Sequence, residues 1–511
     1  MTEVPLTAFR SAAYGRGVKS LSSKAARVGV IALLAASCLS VLSPRVPAAA
    51  HVVAEVGWSE LFDGRSLDGW RANESQESFR VEDGSIVCAG PRSHLFYVGS
   101  VGGGLFTDFE FEAEVNARPG ANSGVYFHTR FQEKDWPAWG FEVQVNNTAT
   151  GEGGYRENKR TGSLYAIRNV YRQLVPDNEW FRLRIVVQGR RVGIWVNDVQ
   201  TVDYAEPKDA PNGGYAGRRI GRGTFALQCH DPGSRVAYRR IRVRPLPAVA
   251  PTVPPPPSPI STELAGLHAE NYPVIDLHTH LKGGLTLGDV VRRQFLTGIG
   301  AGIAVNGGLG FAVTNDATLL AARREIGHPV MFAAMQAEGR EWVRLFSPAA
   351  LAQFDYVFTD AMTIVNDQGR RMRLWIPEET EIGDPQAFMD LLVRRTVEIL
   401  ENEPIQVWVN PTFLPAAIAK DYDALWTPER RKKVIEAAAR RKIAVELNAR
   451  FRLPGAAFVR EAKAAGIKFT FGTNNGGRDD LGNLDYSVQL VRECGLKWDD
   501  FWVPTPKSRA K

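Results

Sequence analysis

Four short stretches carry residues whose types and spacing suit proton transfer or metal binding. In GFEVQV, Glu142 and Gln144 stand two apart in an alternating run and so share one face of a strand. ALQCHD repeats that spacing with Gln228 and His230, and VYFHTR adds His128. One carboxylate, one or two imidazoles and several amides can remove a proton next to a carbonyl. The same groups can hold the developing enolate and help an oxygen leave. Glu142 is the candidate base and His230 the candidate acid or enolate partner, with Gln144, Gln228 and His128 beside them. The plainer alternative is that each polar member of an alternating pair is the solvated face of its strand. In the second half of the chain, PVIDLHTH places Asp276, His278 and His280 on one face, so that two imidazoles could meet on one ion.

These groups need elements to hold them. Residues 56–245 are built of period-2 runs such as FEFEAEVNA, SGVYFHT and WFRLRIVVQ, broken by Gly, Asn, Asp and Pro, with no long helical period. This predicts an all-β jelly-roll sandwich, with a hairpin turning at Asn197-Asp198. Residues 263–511 alternate seven apolar runs with helical patterns, and Thr427 and Pro428 are placed to start one of those helices. Purely apolar strands separated by helices predict a parallel α/β barrel of seven strands. The polar residues fall where those strands end: His278 and His280, Asn306, Glu338, Asp360, Asn410, Glu446 with Asn448, and Asn474 with Asn475. In such barrels the site is built from the C-terminal strand ends.

The 511 residues are too many for one core, and LPAVAPTVPPPPSPIST (246–262) reads as an extended proline-rich linker between two domains. The net charge is +6, of which residues 1–50 contribute +5. The near-neutral remainder gives no electrostatic footprint for nucleic acid or an anionic membrane. Residues 28–42 form a 15-residue apolar run behind a basic leader and before small residues at Ala48–Ala50. A bilayer span takes about 20 residues. Residues 1–50 are therefore expected to be a signal peptide, the protein exported to the periplasm or beyond, and no membrane span left after cleavage. The remaining cysteines, Cys88, Cys229 and Cys494, are too sparse for a disulfide framework; Cys88 and Cys229 are either a pair or two buried thiols.

Two resemblances bear on function. LFDGRSLDGW, FRVEDGSIVCAG and the runs that follow, through RVAYRRIRVRPL, resemble the 3-keto-disaccharide hydrolase domain over nearly all of residues 58–245. That family has a concanavalin-like jelly roll and is associated with cleaving glycosides oxidised at sugar C3, by elimination and hydration. The resemblance implies a carbohydrate substrate, with Asn122, Tyr165 and Trp139 at the sugar; Trp136 and Trp195 are further stacking candidates. DLHTHL together with AVELNARFRLPGAAFVREAKAAGIKFTFGTNN resembles the polymerase and histidinol phosphatase family, which has a seven-stranded barrel with a multinuclear metal site. Here His278 and His280 match the first histidine pair, and Glu338 stands at a carboxylate-ligand position. The chain departs from that pattern at GTNNGG, where the family has Asp and His, and at Asn410, where it has His. Two readings of the barrel follow: one divalent ion (Zn, Mn or Fe) held by His278, His280, Glu338 and Asp360, or a metal-free pocket whose histidines bond its asparagines. Neutral amides at the strand ends suit an uncharged, hydroxyl-rich ligand better than a phosphate.

The expectation is an exported enzyme that cleaves 3-keto-glycosides in its first domain. Its rivals are a metal-dependent hydrolase in the barrel and a two-domain glycan-binding protein.

Overall fold

The computed structural model describes residues 57–505, apart from 149–154, 211–215, 251, 253 and 255–258. The expected signal peptide lies outside the described residues. So does most of the run of four prolines that opens at Pro254.

Alternation along Phe109–Ala117 explains the first domain. Phe109, Phe111, Ala113, Val115 and Ala117 are fully buried. Glu110, Glu112 and Glu114 take the opposite face, where Arg184, Arg242, Arg244 and Arg239 from the neighbouring strands pair with them. This strand is central to an antiparallel sheet ordered Val199–Ala205, Arg191–Val196, Trp180–Gln188, Phe109–Ala117, Val236–Pro245, Ser85–Cys88 and Phe79–Glu82, with Ser59–Glu60 on the flank of Val236–Pro245. The expected hairpin is present, and Asn197 adopts φ 53° at its turn. A second antiparallel sheet packs on the first in the order Trp70–Ala72, Ser93–Tyr97, Thr224–Cys229, Ser123–Thr129 and Phe141–Val145. Phe225 contributes to the core between the sheets, its ring centroid within 5.0 Å of those of Phe106, Phe109 and Phe111. Cys88 and Cys229 are free, buried thiols.

The second sheet departs from ordinary sandwich alternation. Ser93–Tyr97, Ser123–Thr129, Phe141–Val145 and Thr224–Cys229 are buried at every position. Leu95, Val125, Val143 and Leu227 face the core, while Phe96, Tyr126 and Ala226 form a separate cluster. The face turned away from the core is therefore also covered, and it is polar.

The second domain is a closed parallel barrel of seven strands: Ile275–Thr279, Gly300–Gly307, Phe332–Ala337, Tyr356–Thr359, Val407–Trp408, Ala444–Asn448 and Phe469–Gly472. Its helices start as the sequence predicts. The Thr427 side chain accepts from the Arg430 amide with Pro428 in the first turn, and Asp384 caps Pro385–Asn402 in the same way. The proline-rich boundary needs adjustment. Helix Pro259–Ala269 already begins within the expected linker, because proline at a first helical position costs no backbone hydrogen bond. The two domains also pack together: Tyr171 of the sandwich belongs to the barrel's hydrophobic core. Among the described residues, no helix is long and apolar enough to cross a membrane.

Phe225→Ala removes the ring on which three others pack. It should cost about 3–5 kcal/mol, read as an earlier urea unfolding transition of the sandwich.

Candidate functional site

The polar face of the five-stranded sheet gathers most of the residues singled out in the first domain. Tyr126 lies opposite Glu142 across one strand pair, and Gln228 opposite His94 across another. The Tyr126 hydroxyl donates to Glu142 Oε2 at 2.9 Å, and Gln228 Nε2 donates to Glu142 Oε1 at 3.0 Å. Gln144 Nε2 donates to Asn122 Oδ1 at 2.6 Å. Gly124 makes room for the acid: a β-carbon there would sit 2.3 Å from Glu142 Oε1. Burial is the main force on this carboxyl and pushes it up to about 7, against the pull of the Tyr126 hydrogen bond and the Arg218 charge. A carboxyl so placed is matched to proton transfer near neutrality.

His94 is the residue that sequence reasoning missed. It is fully buried, and neither ring nitrogen has a hydrogen-bond partner. Burial holds it neutral, pushed down to about 3. Its ring stands edge-on to Tyr126 and to Trp136, at 5.4 Å from each. Trp136 in turn lies 5.2 Å from His230, whose Nδ1 is 2.7 Å from Asp231 Oδ2. The side-chain oxygens Gln144 Oε1 and Gln228 Oε1 are also buried without partners. Unpaired polar atoms concentrated on one face are what a site for a hydroxyl-rich ligand requires, since burying such atoms with nothing to bond is costly. Period-2 alternation in SHLFY puts His94 on a face with Phe96; only the strand pairing shows that this face is also that of Glu142.

Other expected members fall elsewhere. His128 is not brought to this group. Its φ is 54°, and the pairing of its strand with Thr224–Cys229 slips between Thr224 and Ala226, so strict alternation from Tyr126 fails. Its Nε2 lies 2.8 Å from Thr107 O, and its Nδ1 accepts from the Gly221 amide at 3.2 Å, which makes it a clamp between loops. Trp139 is 47% exposed, with Arg130 stacked on it. Trp195 lies on the eight-stranded sheet beneath Arg184, so it does not join the Glu142 group. Tyr165 flanks the site, its hydroxyl donating to Glu157 and its ring under Lys159.

Residues 57–244 match the 3-keto-alpha-glucoside-1,2-lyase-like domain. The match contains every residue of the polar face and assigns this part of the chain to carbohydrate chemistry. No curated protein matches the chain. Among solved structures, the chain is similar to two of a candidate glycosyl hydrolase from Parabacteroides distasonis ATCC 8503. One is 22% identical and covers 37% of this chain and 94% of that one, with a TM-score of 0.33. The other is 21% identical and covers 37% and 99%, with a TM-score of 0.30. The barrel region is similar to histidinol phosphate phosphatase from Lactococcus lactis complexed with zinc, L-histidinol and phosphate. That likeness is 14% identical and covers 44% of this chain and 94% of that one, with a TM-score of 0.31.

At the barrel mouth the expected ligands are largely engaged by other protein groups. His278 Nδ1 is 2.7 Å from Glu446 Oε1, and its Nε2 is 3.2 Å from Gln336 Oε1, so protein groups engage both nitrogens. His280 Nδ1 faces Ala304 O at 3.2 Å, and only its Nε2 is left without a partner. Asp276 accepts from the Thr473 amide and hydroxyl. Glu338 accepts from Asn306 at 2.6 Å; burial and the Asp360 charge push it up to about 7. Asp360 accepts from Asn410, whose own side-chain oxygen accepts from Asn448 and Asn474. Asn475 clasps the His280 backbone at both its amide and its carbonyl. Among the described residues, no three His, Cys, Asp or Glu side chains are grouped to hold a metal ion. One free imidazole nitrogen falls short of a ligand set, so His278, His280, Glu338 and Asp360 do not fit the expected ion. The metal-free alternative is also corrected in detail, because His278 bonds Glu446 and Gln336 rather than asparagines.

The raised carboxyl of Glu142 sets a sign for stability. A carboxyl raised in the folded state contributes stability below its ordinary value of 4.5 and loses it as the pH climbs to about 7. Glu142→Gln should remove that loss. Relative to this variant, wild type should weaken by roughly 3 kcal/mol across the interval, read as unfolding midpoints taken at several pH values.

Proposed function

We propose that the lyase-like domain cleaves 3-keto-glycosides by elimination followed by hydration. The observation that carries this reading is Glu142: a buried carboxyl pushed up to about 7, on a polar face where neighbouring donors and acceptors lack partners. A ketone at C3 acidifies the C2 proton. Glu142 takes that proton, and its electron pair moves toward the C3 oxygen. Neutral His94, whose ring nitrogens lack partners, is the donor available to hold the negative charge there. The C1–O bond then breaks with formation of the C1=C2 double bond, and His230, oriented by Asp231, protonates the departing oxygen. Water adding across that double bond gives the free 3-keto sugar, so the sum is hydrolysis. Asn122 and Gln144 are placed to bind a sugar hydroxyl, and Trp136, between the two imidazoles, offers a ring to stack on. The barrel mouth, lined by amides whose hydrogen bonds are largely met within the protein, serves in this reading as support. The leader pattern at residues 1–50 supports export of the enzyme from the cytoplasm, which cell fractionation and N-terminal sequencing of the recovered protein test.

The full chain should release a chromogenic aglycone from a 3-keto-glucoside and leave the unoxidised glucoside intact. In deuterated buffer it should also exchange the C2 proton. Glu142→Gln should lower both turnover and exchange by about a hundredfold or more, with Glu142→Asp retaining part of each. Undiminished turnover in Glu142→Gln, or equal turnover of the unoxidised glucoside, would remove the proposal.

A further inference from the structure

The strand that carries Glu142 is the outermost of its sheet, so one backbone edge has no partner strand. A single segment covers that edge. The Gln144 amide donates to Ser163 O at 3.0 Å, the Gly162 amide to Gln144 O at 3.0 Å, and the Tyr165 amide to Glu142 O at 2.9 Å. An edge held this way is only as fixed as the segment that holds it.

That segment is fixed by the barrel. Asn271 lies between helix Pro259–Ala269 and the first barrel strand. Its Oδ1 accepts from the Asn158 amide at 3.0 Å and from Lys159 Nζ at 3.2 Å, and its Nδ2 donates to Arg156 O at 2.8 Å. The Asn158 side chain returns a bond to Asn271 O at 2.9 Å. Lys159, its side chain 1% exposed, pairs with Glu157 at 3.1 Å and lies over the Tyr165 ring at 4.5 Å. Contacts thus run without a gap from a barrel asparagine, through a buried ion pair, to the backbone of Glu142. Buried pairs of this kind add little net stability, and their plausible use is to specify one arrangement.

We infer that the barrel is a positioning element of the sandwich's acid–base site, and that Asn271 sets the segment 156–165 on which the Glu142 strand is registered. The catalytic consequence rests on the elimination reading; the positional claim does not. The groups that act on Glu142 are Tyr126 and Gln228 from its own sheet, Arg218, and Glu157 from the segment, with Lys159 alongside Glu157. Arg218 favours the ionised acid and Glu157 disfavours it. Releasing Lys159 leaves Glu157 less compensated, so the acid limb of turnover should move to higher pH.

The test uses the full chain carrying Asn271→Gly. The backbone there has φ 67°, which glycine accepts without strain, so the turn survives while the side chain is lost. The comparator is Arg172→Met, which breaks the contacts of Arg172 with Asp355 and Met331 elsewhere in the same interface. Asn271→Gly should speed deuterium exchange in both 156–165 and 141–145. It should also lower kcat on the 3-keto-glucoside roughly tenfold and shift the acid limb upward. Arg172→Met should do none of these at the Glu142 strand. Wild-type exchange over 141–145 in Asn271→Gly, or a change no larger than that of Arg172→Met, overturns the inference. If wild type proves inactive on 3-keto-glucosides, the elimination reading fails, and the exchange comparison still decides the positional claim.

Discussion

The sandwich site depends on keeping one carboxylic acid out of water without burying it as a fixed anion. Glu142 meets that condition through a tyrosine hydroxyl, a glutamine amide and the space left by Gly124. Desolvation then dominates, and Arg218 limits how far it goes. The proton is therefore held near neutrality, neither lost nor locked. Much of the surrounding architecture follows from this. A sheet face that would meet solvent in an ordinary sandwich must be covered, because an exposed Glu142 would relax to the ordinary carboxylate range. Residues 155–165 and the loop bearing Phe131 and Trp136 provide that cover, with Phe131 packed on Phe96 and Trp136 on His94.

Cover supplied by irregular backbone needs an anchor of its own, since such segments are the parts most prone to local opening. The barrel is that anchor. Arg168 donates to the carbonyls of Phe295 and Leu296, Tyr171 meets His268, and Arg172 pairs with Asp355. The sandwich and the barrel thus share packing beyond the proline-rich stretch that joins them. The segment that closes the edge of the five-stranded sheet is also a piece of the barrel's outer packing.

Much of the fold was legible because it rests on periodicity. Each of the seven apolar runs became a barrel strand, and Thr427 capped the helix it precedes. Glu142, Gln144 and Gln228 were legible because regular strands preserve alternation. His128 was not, because a slip in strand pairing turned it away from its i−2 neighbour. His94 was invisible for a different reason: a histidine in a short buried run carries no motif, and its meaning comes from the Glu142 strand, three places away in the sheet and far along the chain. Asn271 lies between domains, where a single sequence has no periodic signal to offer. Whether the histidine pair holds a metal turns on geometry that composition cannot express. The histidine pair is present, yet Glu446 and Gln336 engage both ring nitrogens of His278.

Two buried glutamates differ in a way that favours the sandwich for the proposed chemistry. Each stands against a glycine whose β-carbon would strike it, Glu142 at Gly124 and Glu446 at Gly472. Both are therefore built-in acids. Their surroundings differ. Glu446 accepts from the Asn410 amide and the Asn448 side chain at one oxygen and faces His278 at the other. Its partners are themselves engaged, through Asn448 to Asn410 and through His278 to Gln336. A carboxylate so enclosed ties three strand ends together and has little left for a ligand. Around Glu142, by contrast, His94, Gln144 and Gln228 all keep buried atoms with nothing to bond. Unmet hydrogen-bonding capacity costs free energy in the empty protein and is recovered when a ligand arrives. The acid proposed to act is the one whose neighbours are still waiting for partners.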